Sequence, residues 1–181
     1  WRSLIEISGP FLAASVLESA FPQGLDAVET PRRQKLRAAY EEWRDAVNEE
    51  DSLLPALHQE WIRLVLTDLL EYDNESLISA ADWPGELPSV SSQENTGTFS
   101  PDWLIHAPGD EKTRLFISIF PPDTNLESSG QNDGWPASLL ERMTLLCRAH
   151  GVRLGLLSNG ERWMLVNAPE GSTSGQASWY A

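Results

Sequence analysis

The first part of the chain places apolar side chains at helical spacing. Residues 9–21 predict a short helix, and residues 31–48 predict a second one after a turn-rich connection. Residues 53–71 predict a third helix with a wide apolar stripe that includes Trp61. In the second helix one face is apolar, and it carries Leu36, Tyr40, Trp43 and Val47. The chain is therefore expected to begin with a helical segment.

The pattern changes after residue 72. Residues 73–100 contain many turn-forming residues and predict an irregular loop, with one short strand near 86–90. Short apolar runs at 102–107 and 115–120 predict two strands, and the turn at 108–112 between them favours an antiparallel hairpin. The second run is apolar at almost every position, which is typical of a central strand that is covered on both faces.

A helix and a second hairpin follow. Leu139, Met143 and Leu146 give residues 136–149 one apolar face, which predicts a fourth helix. Residues 152–157 and 162–166 predict two strands, and Asn159-Gly160 between them is a strong signal for a tight hairpin turn. Residues 123–134 predict a loop.

This element order indicates an α/β (α+β) fold with one mixed sheet of four to five strands flanked by helices. We expect an N-terminal helical extension over 1–52, an α/β core over 53–167, and a linker over 168–181 that leads to further domains. Because the chain starts at Trp1 rather than at Met, we expect it to be part of a longer protein.

Composition narrows the function classes. The chain has 181 residues, a net charge of −14 and a single cysteine, Cys147. The acidic excess argues against nucleic-acid binding over the whole surface, because phosphate contacts need clustered cations. One cysteine excludes an internal disulfide framework and a cysteine-based zinc site, and it fits a cytoplasmic location. No apolar run is long enough to predict a transmembrane helix, so no membrane partner is expected.

The cations form one cluster on the second predicted helix. It consists of Arg32, Arg33, Lys35 and Arg37. A solvated helix turn explains this cluster, and contact with phosphate or with a partner is the alternative. These four residues are the candidate DNA-binding residues.

The segment around Asp102 resembles the PD-(D/E)xK nucleases, the fold of many restriction enzymes. Ser100-Pro101-Asp102 precedes one strand, the strand at 115–120 follows, and Ser158-Asn159-Gly160 opens the later hairpin. In that family an Asp begins the second strand, an acid-x-Lys tripeptide lies on the third, and an earlier helix often supplies a Glu. The resemblance covers 53–167 and implies a restriction-endonuclease-like fold. It makes Asp102 and Glu60 the candidate catalytic residues.

The resemblance also implies a larger context. The opening residues, Trp1 to Leu12, are similar to the start of large type IIG-like restriction-modification methyltransferases. Such a parent protein would use S-adenosylmethionine to methylate DNA. The expected partners of this chain are then the other domains of such a parent and, through the parent, DNA.

The catalytic motif itself departs from the family. Alignment of the third strand puts Ser118 at the position of the acid and Phe120 at the position of the lysine. In the family the carboxylates hold Mg²⁺ and the lysine polarises the attacking water. Serine brings no negative charge and phenylalanine brings no ammonium group, so the site is expected to be vestigial. Mg²⁺ is expected only if nuclease activity survives.

Two functions remain open on the sequence alone. The first is a catalytically degenerate nuclease-like module of a restriction-modification or phage-defence protein, which acts in docking or DNA engagement. The alternative is an acidic protein-protein interaction module with no nucleic-acid role. A third class, an active Mg²⁺ nuclease, is disfavoured by Ser118 and Phe120.

Overall fold

The computed structural model describes residues 4–92, 97–107, 112–128 and 135–181. The helices are α1 Ala14–Ala20, α2 Thr30–Glu49, α3 Leu54–Leu64 and α4 Leu139–Ala149. A π-helical turn, Val65–Leu69, extends α3. The helix predicted over 53–71 is thus confirmed in position, and its last part is wound more loosely. Among the helices of the described residues, none has the length and apolar content that a membrane crossing requires.

Nine strands lie in the described ranges. They are β1 Glu6–Ser8, β2 Leu77–Ser79, β3 Val90–Ser91, β4 Thr98–Phe99, β5 Trp103–His106, β6 Thr113–Ile119, β7 Leu154–Ser158, β8 Arg162–Asn167 and β9 Gly175–Tyr180. All but β3 and β4 form one seven-stranded sheet in the order β1-β9-β8-β7-β6-β5-β2. β3 and β4 pair separately as a short antiparallel ribbon.

The sheet is mixed and mostly antiparallel. β5 and β6 form the predicted antiparallel pair, with Trp103 opposite Ile117, although residues 108–111 of the connecting turn lie outside the described residues. β6 and β7 are parallel, since α4 carries the chain back across the sheet between them. β8 returns beside β7 as the second predicted hairpin.

Each face of the sheet has its own core. On one face α4 packs with Met143 and Leu146 over Phe116 of β6. On the other face α2 and α3 pack Trp43 and Trp61 over Ile117. Neighbouring residues of β6 therefore enter opposite cores, which explains why this strand is apolar at consecutive positions.

The sheet is larger than predicted. The expectation of four to five strands is wrong because β1, β2 and β9 also join the sheet. Residues 168–181 were expected to be a linker, yet Gly175–Tyr180 form β9 between β8 and β1. The predicted short strand near 86–90 lies slightly later, as β3. The predicted boundary at residue 52 falls between α2 and α3, which contribute to the same core.

The single cysteine lies in the core. Cys147 is fully buried on α4, and burial raises the pKa of its thiol to about 12. A thiol that stays protonated is a poor nucleophile, so Cys147 is a packing residue.

Candidate functional site

Asp102 lies at the start of β5, where the sheet begins to pair with β6. Its backbone amide donates to the carbonyl of Ile117 at 2.8 Å, and its carboxylate Oδ2 accepts the amide hydrogen of Ile119 at 2.7 Å. The side chain is therefore tied to the neighbouring strand by a charge-assisted hydrogen bond. The family pattern puts an Asp at this place in the sheet.

The environment of Asp102 disfavours its charge. Surrounding protein atoms raise the pKa of this carboxyl by desolvation, and the hydrogen bond from Ile119 lowers the pKa by a smaller amount. The residue nevertheless keeps surface contact with solvent, so water relieves part of the penalty. In the described structure the carboxylate has a backbone amide as its partner and no cation.

Ser118 lies directly beyond the pair of Trp103 and Ile117, opposite Asp102. The alternation along β6 directs Ser118 to the face that α4 covers, and only 2% of its surface is exposed. Its hydroxyl makes a long hydrogen bond of 3.5 Å to the carbonyl of Ser100. Ser118, which the sequence comparison predicts to replace the acid, is thus a buried, neutral side chain.

Phe120 lies two residues further on, just past the end of β6. Its ring is partly buried against the core under α4, and its amide donates to the carbonyl of Ser158 at 2.8 Å. Phe120, which the sequence comparison predicts to replace the lysine, is thus a side chain that packs. The only two lysines, Lys35 and Lys112, lie on α2 and just before β6.

Glu60 does not complete an acidic cluster. It is exposed on α3, and the buried residues of this helix belong to the core on the opposite face of the sheet from Ser118. Within the described ranges there is no group of three or more His, Cys, Asp or Glu residues that is arranged to hold a metal ion. Asp102 with Ser118 and Phe120 does not fit Mg²⁺, which binds through carboxylates and water.

His58 is the residue of α3 that reaches the end of β6. Its Nδ1 accepts from the indole of Trp43 at 3.1 Å, so its Nε2 carries the hydrogen and donates to the carbonyl of Phe120 at 3.0 Å. Burial lowers the pKa of His58, and the bond to Phe120 opposes this with a smaller effect. His58 lies far from the other two histidines in the sequence, which predicts a structural or surface role for it, but the sequence cannot reveal these two partners.

The Asn159-Gly160 turn is held from both sides. The Asn159 side chain accepts the amides of Glu161 and Arg162 and donates to the carbonyl of Thr124. The indole of Trp61 donates to the Gly160 carbonyl at 2.8 Å. Hydrogen bonds with α3 and with Thr124 thus join this turn to the rest of the fold.

A second link to this turn comes from α2. Tyr40 and Arg44 both bind the carboxylate of Glu161, each at 2.9 Å to Oε2. Side chains of α2 and α3 thus hold two consecutive residues of the turn, which fixes both helices on the sheet.

The cation cluster on α2 is mostly neutralised. Arg32 pairs with Glu71 at 2.5 Å, Lys35 pairs with Asp68, and Arg37 pairs with Glu41 at 2.8 Å. For Arg33, which is exposed, no ion pair occurs in the part of the chain that the structure describes. Three of the four candidate DNA-binding cations thus already face an acidic side chain.

A scan against family models and searches of curated proteins and solved structures find no significant match to this chain.

Proposed function

We propose that this chain is a catalytically degenerate nuclease-like module of a DNA restriction-modification or phage-defence protein in the cytoplasm. It acts in docking or DNA engagement for a parent methyltransferase, which uses S-adenosylmethionine. The observation that carries the proposal is the site at the start of β5 and the end of β6. There Asp102 keeps the position of the family's first acid, while Ser118 and Phe120 replace the acid and the lysine.

The order of elements supports the proposal. α3 is followed by β2, β5 and β6, then by α4, and then by β7 and β8. These five strands lie next to one another in the sheet, in the same order as in the chain. Asp102 precedes the second of them. An Asp at the second strand and the motif position on the third strand are the features of the PD-(D/E)xK pattern.

The chemistry of the site argues against hydrolysis. Metal-dependent cleavage requires several carboxylates to hold Mg²⁺ and a group that activates water. Asp102 is a single carboxylate whose oxygen already accepts a backbone amide, and Phe120 cannot stabilise a hydroxide. The module is therefore proposed to have no catalytic activity of its own.

The charge distribution favours docking over direct DNA binding. The chain has a net charge of −14, and three cations of the α2 cluster are paired with acids. Phosphate contacts would first have to break these pairs and would gain little from counterion release. The same observation supports the second candidate function, an acidic interaction module without a nucleic-acid role.

Incubation of the chain with supercoiled plasmid and Mg²⁺ or Mn²⁺ tests the first candidate. We expect no nicking above that of a matched Asp102→Ala preparation, because the second acid and the lysine are missing. Metal-dependent cleavage by the unmodified chain that is lost in Asp102→Ala would show that the catalytic strand is assigned wrongly.

A further inference from the structure

An apolar groove lies on the side of the sheet that α2 and α3 cover. It has a volume of about 430 Å³ and is bounded by α2, α3, the π-helical turn, β8 and β9. Its aromatic side chains are Tyr40, Trp61, Trp163, Trp179 and Tyr180. This size falls within the range of ligand pockets, and aromatic side chains are enriched where proteins bind partners.

Three of these five aromatic side chains use their polar atoms in hydrogen bonds within the fold. The Tyr40 hydroxyl donates to Glu161, the Trp61 indole donates to the Gly160 carbonyl, and the Tyr180 hydroxyl accepts from Arg162. The groove offers these rings as an apolar surface, which suits a large apolar side chain.

The rim of the groove adds exposed leucines and a positive charge. Leu69 and Leu70 of the region after α3 line the groove with 36% and 44% of their surface exposed. Arg33 and Arg37 line it from α2, and Arg37 is paired with Glu41. Arg33 contributes a guanidinium that has no acidic partner in the described ranges, although the chain as a whole has a large excess of acids.

We propose that this groove binds an acidic peptide segment of a partner protein, which inserts one large apolar side chain between the aromatic rings. A carboxylate next to that side chain pairs with Arg33. This inference rests on the docking role in the proposed function and names the chemistry of the docked segment.

Local charge decides the preference for an acidic segment. At physiological ionic strength, charges further apart than about 8 Å are largely screened, so the net charge of −14 acts weakly at the groove. A guanidinium at the rim then favours a carboxylate through a paired hydrogen bond. A basic segment would place its cation next to the Arg33 guanidinium, where two like charges form no favourable contact.

Calorimetric titration with two short peptides tests the inference. Both carry a central Leu-Phe pair, and it is flanked by glutamates in one peptide and by lysines in the other. We expect saturable binding of the glutamate peptide and a much weaker response to the lysine peptide. The indole resonances of Trp163 and Trp179 should shift during the same titration, because both rings line the groove.

Matched variants locate the binding site. Arg33→Gln and Leu70→Ala should each weaken binding of the glutamate peptide by about tenfold. Arg63→Gln removes an exposed cation of α3 outside the groove, and Leu145→Ala removes a leucine of α4 that is 47% exposed. Both control variants should bind as the unmodified chain does.

Four results would overturn the inference. Three are the absence of saturable binding, equal binding of the lysine peptide, and equal losses in the groove and control variants. Duplex DNA that shifts the same indole resonances would also overturn it, in favour of a nucleic-acid groove. Plasmid cleavage would instead contradict the proposed function and would leave peptide binding unaffected, so the two failures are distinguishable.

Discussion

The carboxylate of Asp102 joins two strands by accepting the amide hydrogen of Ile119. Asn at this position keeps an acceptor oxygen and removes the charge that the surroundings disfavour. We therefore expect Asp102→Asn to leave the free energy of unfolding unchanged or to raise it. Asp102→Ala removes the acceptor and should lower the free energy of unfolding by about 1 kcal/mol. Urea denaturation of both variants checks this expectation.

The sign of the pH dependence at Asp102 follows from its raised pKa. Between the ordinary pKa of an Asp and this higher value, the folded state binds more protons than the unfolded state. The contribution of Asp102 to stability therefore falls as pH rises through that interval. The free energy of unfolding of Asp102→Asn minus that of the unmodified chain should therefore be larger at about pH 7 than at about pH 4. The opposite trend would contradict a desolvated carboxyl.

His58 should show the opposite dependence. Its pKa is lowered, so the unfolded chain takes up a proton first as pH falls below about 6.5. The stability that neutral His58 provides is complete above that pH and is lost as pH falls towards the folded pKa. Ring resonances of His58 should report the neutral form with hydrogen on Nε2 at about pH 6.5. A protonated ring at that pH would contradict the pair of bonds to Trp43 and Phe120.

The hairpin between β7 and β8 depends on a glycine at its turn. Gly160 has a φ of +89°, and a Cβ there would lie 2.7 Å from the Trp43 ring. Gly160→Ala is expected to lower the free energy of unfolding by about 2–3 kcal/mol through strain and overpacking. Thermal unfolding followed by circular dichroism measures this loss.

Gly171 provides the matched control for Gly160. It also has a positive φ, of +65°, but a Cβ there meets nothing within 4 Å. Gly171→Ala should therefore show the backbone strain without the contact, and it should be clearly less destabilising. Equal losses of unfolding free energy in the two variants would mean that the close approach of Trp43 does not limit which side chain fits at residue 160.

The sequence predicts the elements with strong local signals and misses those that depend on distant pairing. α2, α4 and β5 to β8 lie where apolar spacing and turn residues put them. β9 contains small and polar residues, and it forms a strand because β8 and β1 pair with it on its two sides. β1 and β2 have three residues each, which is too short for a periodic pattern.

The candidate site was predictable only in part, for the same reason. The position of Asp102 before a strand is visible in the sequence, and so are Ser118 and Phe120 on the next strand. The partners of Asp102 and His58 are backbone groups of β6 and the residue after it, far away in the chain. The groove likewise combines α2 and α3 with β9, a strand that the sequence pattern did not predict.

At the scale of the whole molecule, charge should limit binding to DNA. A duplex lies along a wide stretch of surface, where a chain with a net charge of −14 presents an excess of acids at close range. The paired cations of α2 offer few phosphate contacts. We expect duplex binding weaker than about 1 µM at about 150 mM salt. Titration of a labelled duplex at low and physiological salt checks this. Tighter binding that is lost when Arg32, Arg33, Lys35 and Arg37 become Ala would instead assign α2 as a DNA-binding surface.

We propose that the start of β5 and the adjacent end of β6 have the layout of a nuclease site that does not bind the catalytic metal. Titration of the isotopically labelled chain with Mn²⁺ tests it directly, because a bound paramagnetic ion broadens the amide signals around it. We predict that the amides of Asp102 and Ile119 broaden no more than those of the exposed acidic run Glu49–Asp51. Selective loss of the Asp102 and Ile119 signals at substoichiometric Mn²⁺, abolished by Asp102→Asn, would contradict the claim.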